Sequence, residues 1–220
     1  MNTSRLPVSV GCLLLLLLPA VSMRAELIQA DSPRYGQNAF TIDTATGLAW
    51  LDLPFSVGLS YLEVVAATQA GGSFEGFRYA TALEVLTLYA DAGIPGTGFY
   101  PENSAGGQSA SSLISLLGAT SFQLDHPQVY GISGTPANFQ TRIVPGLAFV
   151  YDDLVLGYLV EGIPGESLAW GETTSSLTVG SWLVYQVPEP TSWLIGTMGF
   201  LLALVVSRIC APNAPKSSRS

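Results

Sequence analysis

The residues of this 220-residue chain whose types could do chemistry are few: the pair Asp152-Asp153, a single histidine in Asp125-His126-Pro127, and Arg78 set between Phe77 and Tyr79. Paired aspartates can supply hard oxygen ligands to calcium. No spaced Asp-x-Asp-x-Asp-Gly loop accompanies this pair, and a two-residue hairpin turn between apolar runs at 147–151 and 154–160 explains it without a metal. A Ser-His-Asp arrangement would have to use His126, but no Gly-x-Ser-x-Gly elbow is present. A zinc site would need carboxylates for every other ligand, because residues 26–187 hold no second His and no Cys. Glu161, Glu166 and Glu172 fall in turn-rich sequence where solvated charge is the default, whereas a glycosidase needs two carboxylates facing each other across a cleft. The expectation is a protein that is not an enzyme and has no cofactor, with calcium as the sharper alternative. Arg78 is expected to form a buried structural pair with Glu84 or Asp43, or to stack on an aromatic face.

Charge narrows the partners. Residues 26–187 carry 15 acidic side chains against 3 basic ones (Arg34, Arg78, Arg142) and no Lys. Phosphate recognition needs clustered cations, so nucleic acid is excluded as a partner, and direct binding to anionic lipid is disfavoured for the same reason. The only cysteines are Cys12 and Cys210, so the middle of the chain must be stabilised by its core.

The two ends read as membrane-directed. Arg5 precedes an apolar stretch from Leu6 to about Val21, the layout of a secretory signal peptide, here 1–25, with cleavage after Ala25 or Ser22. Its partners would be the Sec translocon and signal peptidase. Near the other end stands Val187-Pro188-Glu189-Pro190, then an almost wholly apolar run from Trp193 to Val206, then Arg208, Lys216 and Arg219. About 17 residues suffice for a short transmembrane helix, expected at about 191–207, with Trp193 at one interface and the basic residues beyond the other. These residues resemble the PEP-CTERM protein-sorting domain of Gram-negative bacteria. The resemblance implies recognition of Val187, Pro188, Glu189, Pro190 and Arg208 by an exosortase-type membrane protease, which cuts near Pro188-Glu189-Pro190. It also implies export through a single-pass inner-membrane intermediate to the cell surface or extracellular matrix, with exopolysaccharide as a further partner. Arg208 stands alone where family members usually show a tight Arg cluster.

Between these signals lies one exported domain, 26–186, of ordinary size. Residues 38–43 alternate with period two and read as a strand; 44–47 is a turn in which Gly47 supplies positive φ; 48–51 returns. Asp43 is expected to bond the amides of that turn. Ser60…Glu63 and Thr81…Glu84 have capping-box spacing and start two helices, stopped by Gly71-Gly72 and by Gly93 and Pro95. Residues 96–112 read as a long mobile loop, 112–117 as a short apolar helix, and the remainder as sheet, with a final strand over 181–187.

Asp43-Thr44-Ala45-Thr46-Gly47-Leu48-Ala49-Trp50, then Gly76-Phe77-Arg78-Tyr79-Ala80-Thr81 and Glu84-Val85, is similar to the C-terminal domain of Legionella collagen-like adhesins. Phe77, Tyr79 and Ala80 stand where that family has Trp, Leu and Pro. The resemblance implies a C-type lectin-like fold in which Asp43, Gly47, Trp50, Gly76, Arg78, Thr81 and Glu84 are structural. The fold class expected is α+β: a β-rich exported domain with two or three short helices between a signal peptide and a C-terminal transmembrane helix. The function expected is a non-enzymatic cell-surface or matrix protein. The alternative is an adhesin-like module binding carbohydrate or protein, with loop residues Tyr100, Asn103, Tyr130 and Asn138 as its candidate contacts.

Overall fold

The alternation at 38–43 builds the first sheet. Strands β1 (Leu27–Ser32), β2 (Gly36–Asp43) and β3 (Leu48–Leu51) form an antiparallel meander, with Asp43 paired to Leu48 and Ile42 to Ala49. Gly47 closes the turn at φ +68°, a region a β-carbon makes costly. The computed structural model describes residues 25–187 apart from 124, 139, 153–154 and 162–167. The expected signal peptide up to residue 24, Pro188, Glu189, Pro190, Arg208 and the expected helix at 191–207 lie outside the described residues. Among the described residues no helix is long and apolar enough to cross a membrane.

Both capping boxes form. In α1 (Tyr61–Ala67) the Ser60 side chain accepts from the Glu63 N–H, and the Glu63 carboxylate accepts from the Ser60 N–H at 2.7 Å. In α2 (Ala82–Asp91) Thr81 and Glu84 do the same, the return bond being 2.8 Å. Helix α1 stops at Thr68, ahead of the two glycines expected to end it; α2 stops at Ala92, and Gly93 takes φ +87° just beyond it.

The glycine-rich stretch departs from expectation. Instead of a mobile loop at 96–112 it holds strand β5 (Gly98–Pro101) and the first half of α3 (Ala105–Leu117), which is twice the length of the helix expected at 112–117. Ser104 caps α3, its hydroxyl accepting from the Gly107 N–H at 3.1 Å. Gly106 and Gly107 are buried, and a β-carbon on them would lie 2.5 Å from the Tyr100 ring and 2.2 Å from the Pro101 carbonyl oxygen. Here the glycines permit a helix to lie directly on a strand.

The second half is sheet: β6 (Ser121–Gln123), β7 (His126–Ile132), β8 (Pro136–Asn138), β9 (Thr141–Val144), β10 (Gly146–Asp152), β11 (Val155–Glu161), β12 (Leu168–Gly171), β13 (Gly180–Ser181) and β14 (Leu183–Gln186). Asp152 is the last residue of β10, paired with Val155, and so is not a turn residue; Asp153 is not among the described residues. The expected final strand is split at Trp182, where the chain passes from one sheet to another. The first sheet runs β1-β2-β3-β14-β4, with β4 at Arg78–Tyr79, so the last strand of the chain is an inner strand. The second runs β13-β7-β10-β11-β5 with β6 also on β7, and a third runs β12-β9-β8. The protein is α+β and β-rich, with three α-helices among the described residues.

Period two divides the first sheet into faces. Leu48, Trp50 and Val184 pack with α2, α3 and residues of the second sheet into the main core, which also holds Trp182, Tyr89 and Leu113. On the other face Phe40, Leu51 and Leu183 pack with Val64 of α1 and with Phe74. A third cluster joins Ile132, Val144 and Val179 to the rings of Tyr61, Tyr79, Tyr130 and Trp170.

Candidate functional site

Of the residues that carry the adhesin resemblance, Asp43 and Gly47 belong to the turn between β2 and β3, and Arg78, Thr81 and Glu84 to the edge strand β4 and the start of α2. Asp43 is fully buried and accepts from the Ala45 N–H at 2.9 Å and the Thr46 hydroxyl at 2.6 Å, as expected of a carboxylate organising its own turn. That turn holds both ends of the domain. The Thr44 N–H and hydroxyl bond the Glu26 carbonyl, and the Glu26 N–H bonds the Thr44 hydroxyl oxygen. The Gly47 carbonyl accepts from the Val187 N–H at 2.9 Å and from Gln186 Nε2 at 3.1 Å. Trp50 is in the main core against Trp182, and Gly76 turns the chain into β4 at φ +89°.

Beside the turn, Arg78 meets Glu84 in a two-pronged pair, Nη2 to Oε1 at 2.6 Å and Nη1 to Oε2 at 2.9 Å. Between the two partners offered for Arg78, the structure selects Glu84. The pair is not buried: the Arg78 side chain is 53 % exposed because β4 is an edge strand. Such a surface pair contributes at most about 1 kcal/mol. The Arg78 hydrogen bonds, followed by those from Thr81, hold the Glu84 carboxyl down at about 2. It therefore stays ionised and is no general acid near neutrality. With Thr46, Leu48, Thr87 and Gln186, the pair lines a shallow recess of about 340 Å³. The recess offers hydrogen-bond donors and acceptors around an internally neutralised charge, which suits contact with a polar surface better than bond-breaking chemistry.

The remaining candidates are scattered. Tyr100, Tyr130 and Asn138 are strand residues in β5, β7 and β8, not loop residues, and the Tyr100 hydroxyl is engaged with the Gly96 carbonyl. Asn103 sits in the turn before α3, its carbonyl accepting from Gln108. His126 opens β7 after Asp125, which takes φ +65°. Burial raises the Glu161 carboxyl. Glu172 is paired with Arg142 at 2.5 Å, and the Arg142 guanidinium lies 4.2 Å from the Tyr61 ring centroid. Glu166 is outside the described residues. Among the described residues no group of three or more His, Cys, Asp or Glu could hold a metal ion.

Several residues escaped sequence reasoning. Asp91, at the end of α2, comes against Asp43 and titrates above its usual range, first through burial and then through that neighbour's charge and hydrogen bond. Only the approach of the end of α2 to the end of β2 brings the two together. At the end of the sheet remote from the turn, Tyr35 and Phe55 touch edge-on at 5.4 Å, Phe55 is 42 % exposed, and the Arg34 guanidinium lies 5.6 Å from the Tyr35 centroid. Arg34 has no carboxylate partner among the described residues.

Asp52 was also unforeseen. It joins β3 to a 3-10 turn at Leu53–Ser56, with Gly118 packed beside it, and burial pushes its carboxyl up to about 6 from 3.8. A raised acid favours the protonated form on folding, so its contribution is full below pH 4 and is lost as pH rises through 6. A two-unit shift corresponds to about 3 kcal/mol, which solvent screening of a half-buried group cuts to about 1–2 kcal/mol. Asp52→Asn should therefore raise stability at pH 8 and flatten its decline between pH 4 and 7, read by urea unfolding across that range. An undiminished slope in the variant would assign the decline to other groups.

No family model, curated protein or solved structure matches the chain.

Proposed function

We propose that this is a non-enzymatic, exported cell-surface or extracellular-matrix protein of the PEP-CTERM class, sorted through Val187-Pro188-Glu189-Pro190. On this reading Sec export and signal peptidase deliver a domain spanning 26–186. The apolar run ahead of Arg208 holds it in the inner membrane as a single-pass intermediate, and an exosortase-type protease removes that anchor. The observation that carries the reading is the route of the chain's end: β14 leads without any intervening loop to Val187, the first residue of the signal.

Intact-mass measurement on protein from the host envelope and medium tests this. The expected species starts near Glu26 and ends near Glu189. A species that retains Trp193 to Ser220 would overturn the sorting reading and leave an ordinary membrane anchor.

An adhesin-like module of the C-type lectin-like kind is the second reading. It is favoured by the exposed Phe55 ring against Tyr35 and beside Arg34, an apolar face next to a hydrogen-bond donor, suited to a sugar ring. A glycan array probed with the mature protein and with Tyr35→Ala separates the two. A signal lost in the variant supports the module, and silence from both leaves the structural role.

A further inference from the structure

We propose that the anchored domain stands with the Thr44–Gly47 turn facing the bilayer, so that the recess is the membrane-proximal surface and the Arg34-Tyr35-Phe55 pole points away. This rests on the anchor reading above. Leu27, Asp43, Leu48 and Gln186 are successive register partners in β1, β2, β3 and β14. Strands lie about 4.8 Å apart, so three spacings put the two ends of the sheeted chain within about 14 Å of each other. One four-residue turn grips both, Glu26 at Thr44 and Val187 at Gly47. Both of the chain's membrane-directed segments therefore leave from the same edge.

The tether is short against the domain. Six residue steps separate Val187 from Trp193, where the apolar run begins, and at full extension they reach about 20 Å. Strand β2 alone has eight residues and spans about 26 Å. A leash shorter than the sheet cannot bring the opposite pole down to the bilayer while the Thr44–Gly47 edge points outward. The orientation is set by this geometry, since an acidic edge carrying Glu26 has no affinity for anionic lipid. The edge that meets the membrane is also the edge that a membrane-embedded processing enzyme meets, with the Arg78–Glu84 pair and Gln186 beside the exit.

The domain between Glu26 and Val187 has no cysteine of its own, which makes the test clean. Full-length chain with Cys210→Ser, recovered from host membranes after signal-peptide removal, is reconstituted into vesicles containing headgroup-quencher lipid. A fluorophore is placed either at Ala45→Cys, in the turn, or at Pro33→Cys, beyond the far end of β1. The expected result is quenching several-fold greater at 45 than at 33. Equal or reversed quenching in a chain that floats with the vesicles would overturn the orientation while leaving the anchor. A chain that does not float would overturn the anchor reading and the orientation together.

Discussion

Trp182→Ala should destabilise the domain by about 3–5 kcal/mol, a large share of the 5–15 kcal/mol typical of a whole domain. The side chain is fully buried where the chain passes from β13 to β14. Its ring meets Trp50 edge-on at 5.9 Å and Tyr89 at 6.2 Å, and its indole N–H bonds the Pro145 carbonyl at 3.1 Å. Its own backbone joins the sheets, the N–H donating to Ile132 and the carbonyl accepting from Ala80. Truncation leaves a cavity that rigid sheets on both sides cannot close, and removes one of the two hydrogen bonds to the Pro145 carbonyl, which keeps the one from the Gly131 N–H. Trp182→Phe should recover most of the packing but not that bond, and lose about 0.5–1.5 kcal/mol. Urea unfolding followed by circular dichroism measures both. A loss below 1 kcal/mol in the alanine variant would mean the sheets do not depend on this residue for their junction.

Gly107→Ala opposes two effects of known size. Helix propensity alone predicts a gain of about 1 kcal/mol. Against it, the new methyl would sit 2.2 Å from the Pro101 oxygen and 2.9 Å from its carbonyl carbon, which are backbone atoms of β5 that have no rotamer to escape into. Overpacking of this kind costs about 1–3 kcal/mol, and because the obstacle is backbone the upper end applies, for a net loss of about 2 kcal/mol. Thermal unfolding decides the sign. A stabilised variant would show that α3 does not lie on β5 as closely as described and that composition alone accounts for the stretch.

That stretch also shows where sequence reasoning reached its limit. Gly, Ser, Asn and Pro at 96–112 have the composition of a loop, and composition does not reveal what a glycine faces. Once β5 is alongside, Gly106 and Gly107 become points of contact, and Ser104 becomes a cap. Where the signal is local, the sequence was sufficient. Ser60-x-x-Glu63 and Thr81-x-x-Glu84 form the boxes their spacing implies, and Asp43 through Gly47 form the expected turn. Glu84 was one of two partners the sequence offered for Arg78, and only the fold chose it over Asp43; the exposure of the pair was not legible, because that depends on β4 being an edge. Arg142 and Glu172 are thirty positions apart and meet only through the pairing of β9 with β12. Nothing in the local pattern around either residue points to the other. The same holds for Asp43 and Asp91, forty-eight positions apart, which meet only where the end of α2 comes against the end of β2.

Strand β14 enters between β3 and β4, neighbours that precede it by more than a hundred residues. Chains emerge N-terminus first, and a pairing this distant along the chain is slow to form. The gap in the sheet therefore stays open until residues 183–186 have been made. A product cut short before Leu183 lacks both the closing strand and the apolar run behind it, and offers two bare strand edges to degradation. Completion of the first sheet thus waits on residues 183–186: until they are in place, β3 and β4 have no partner between them.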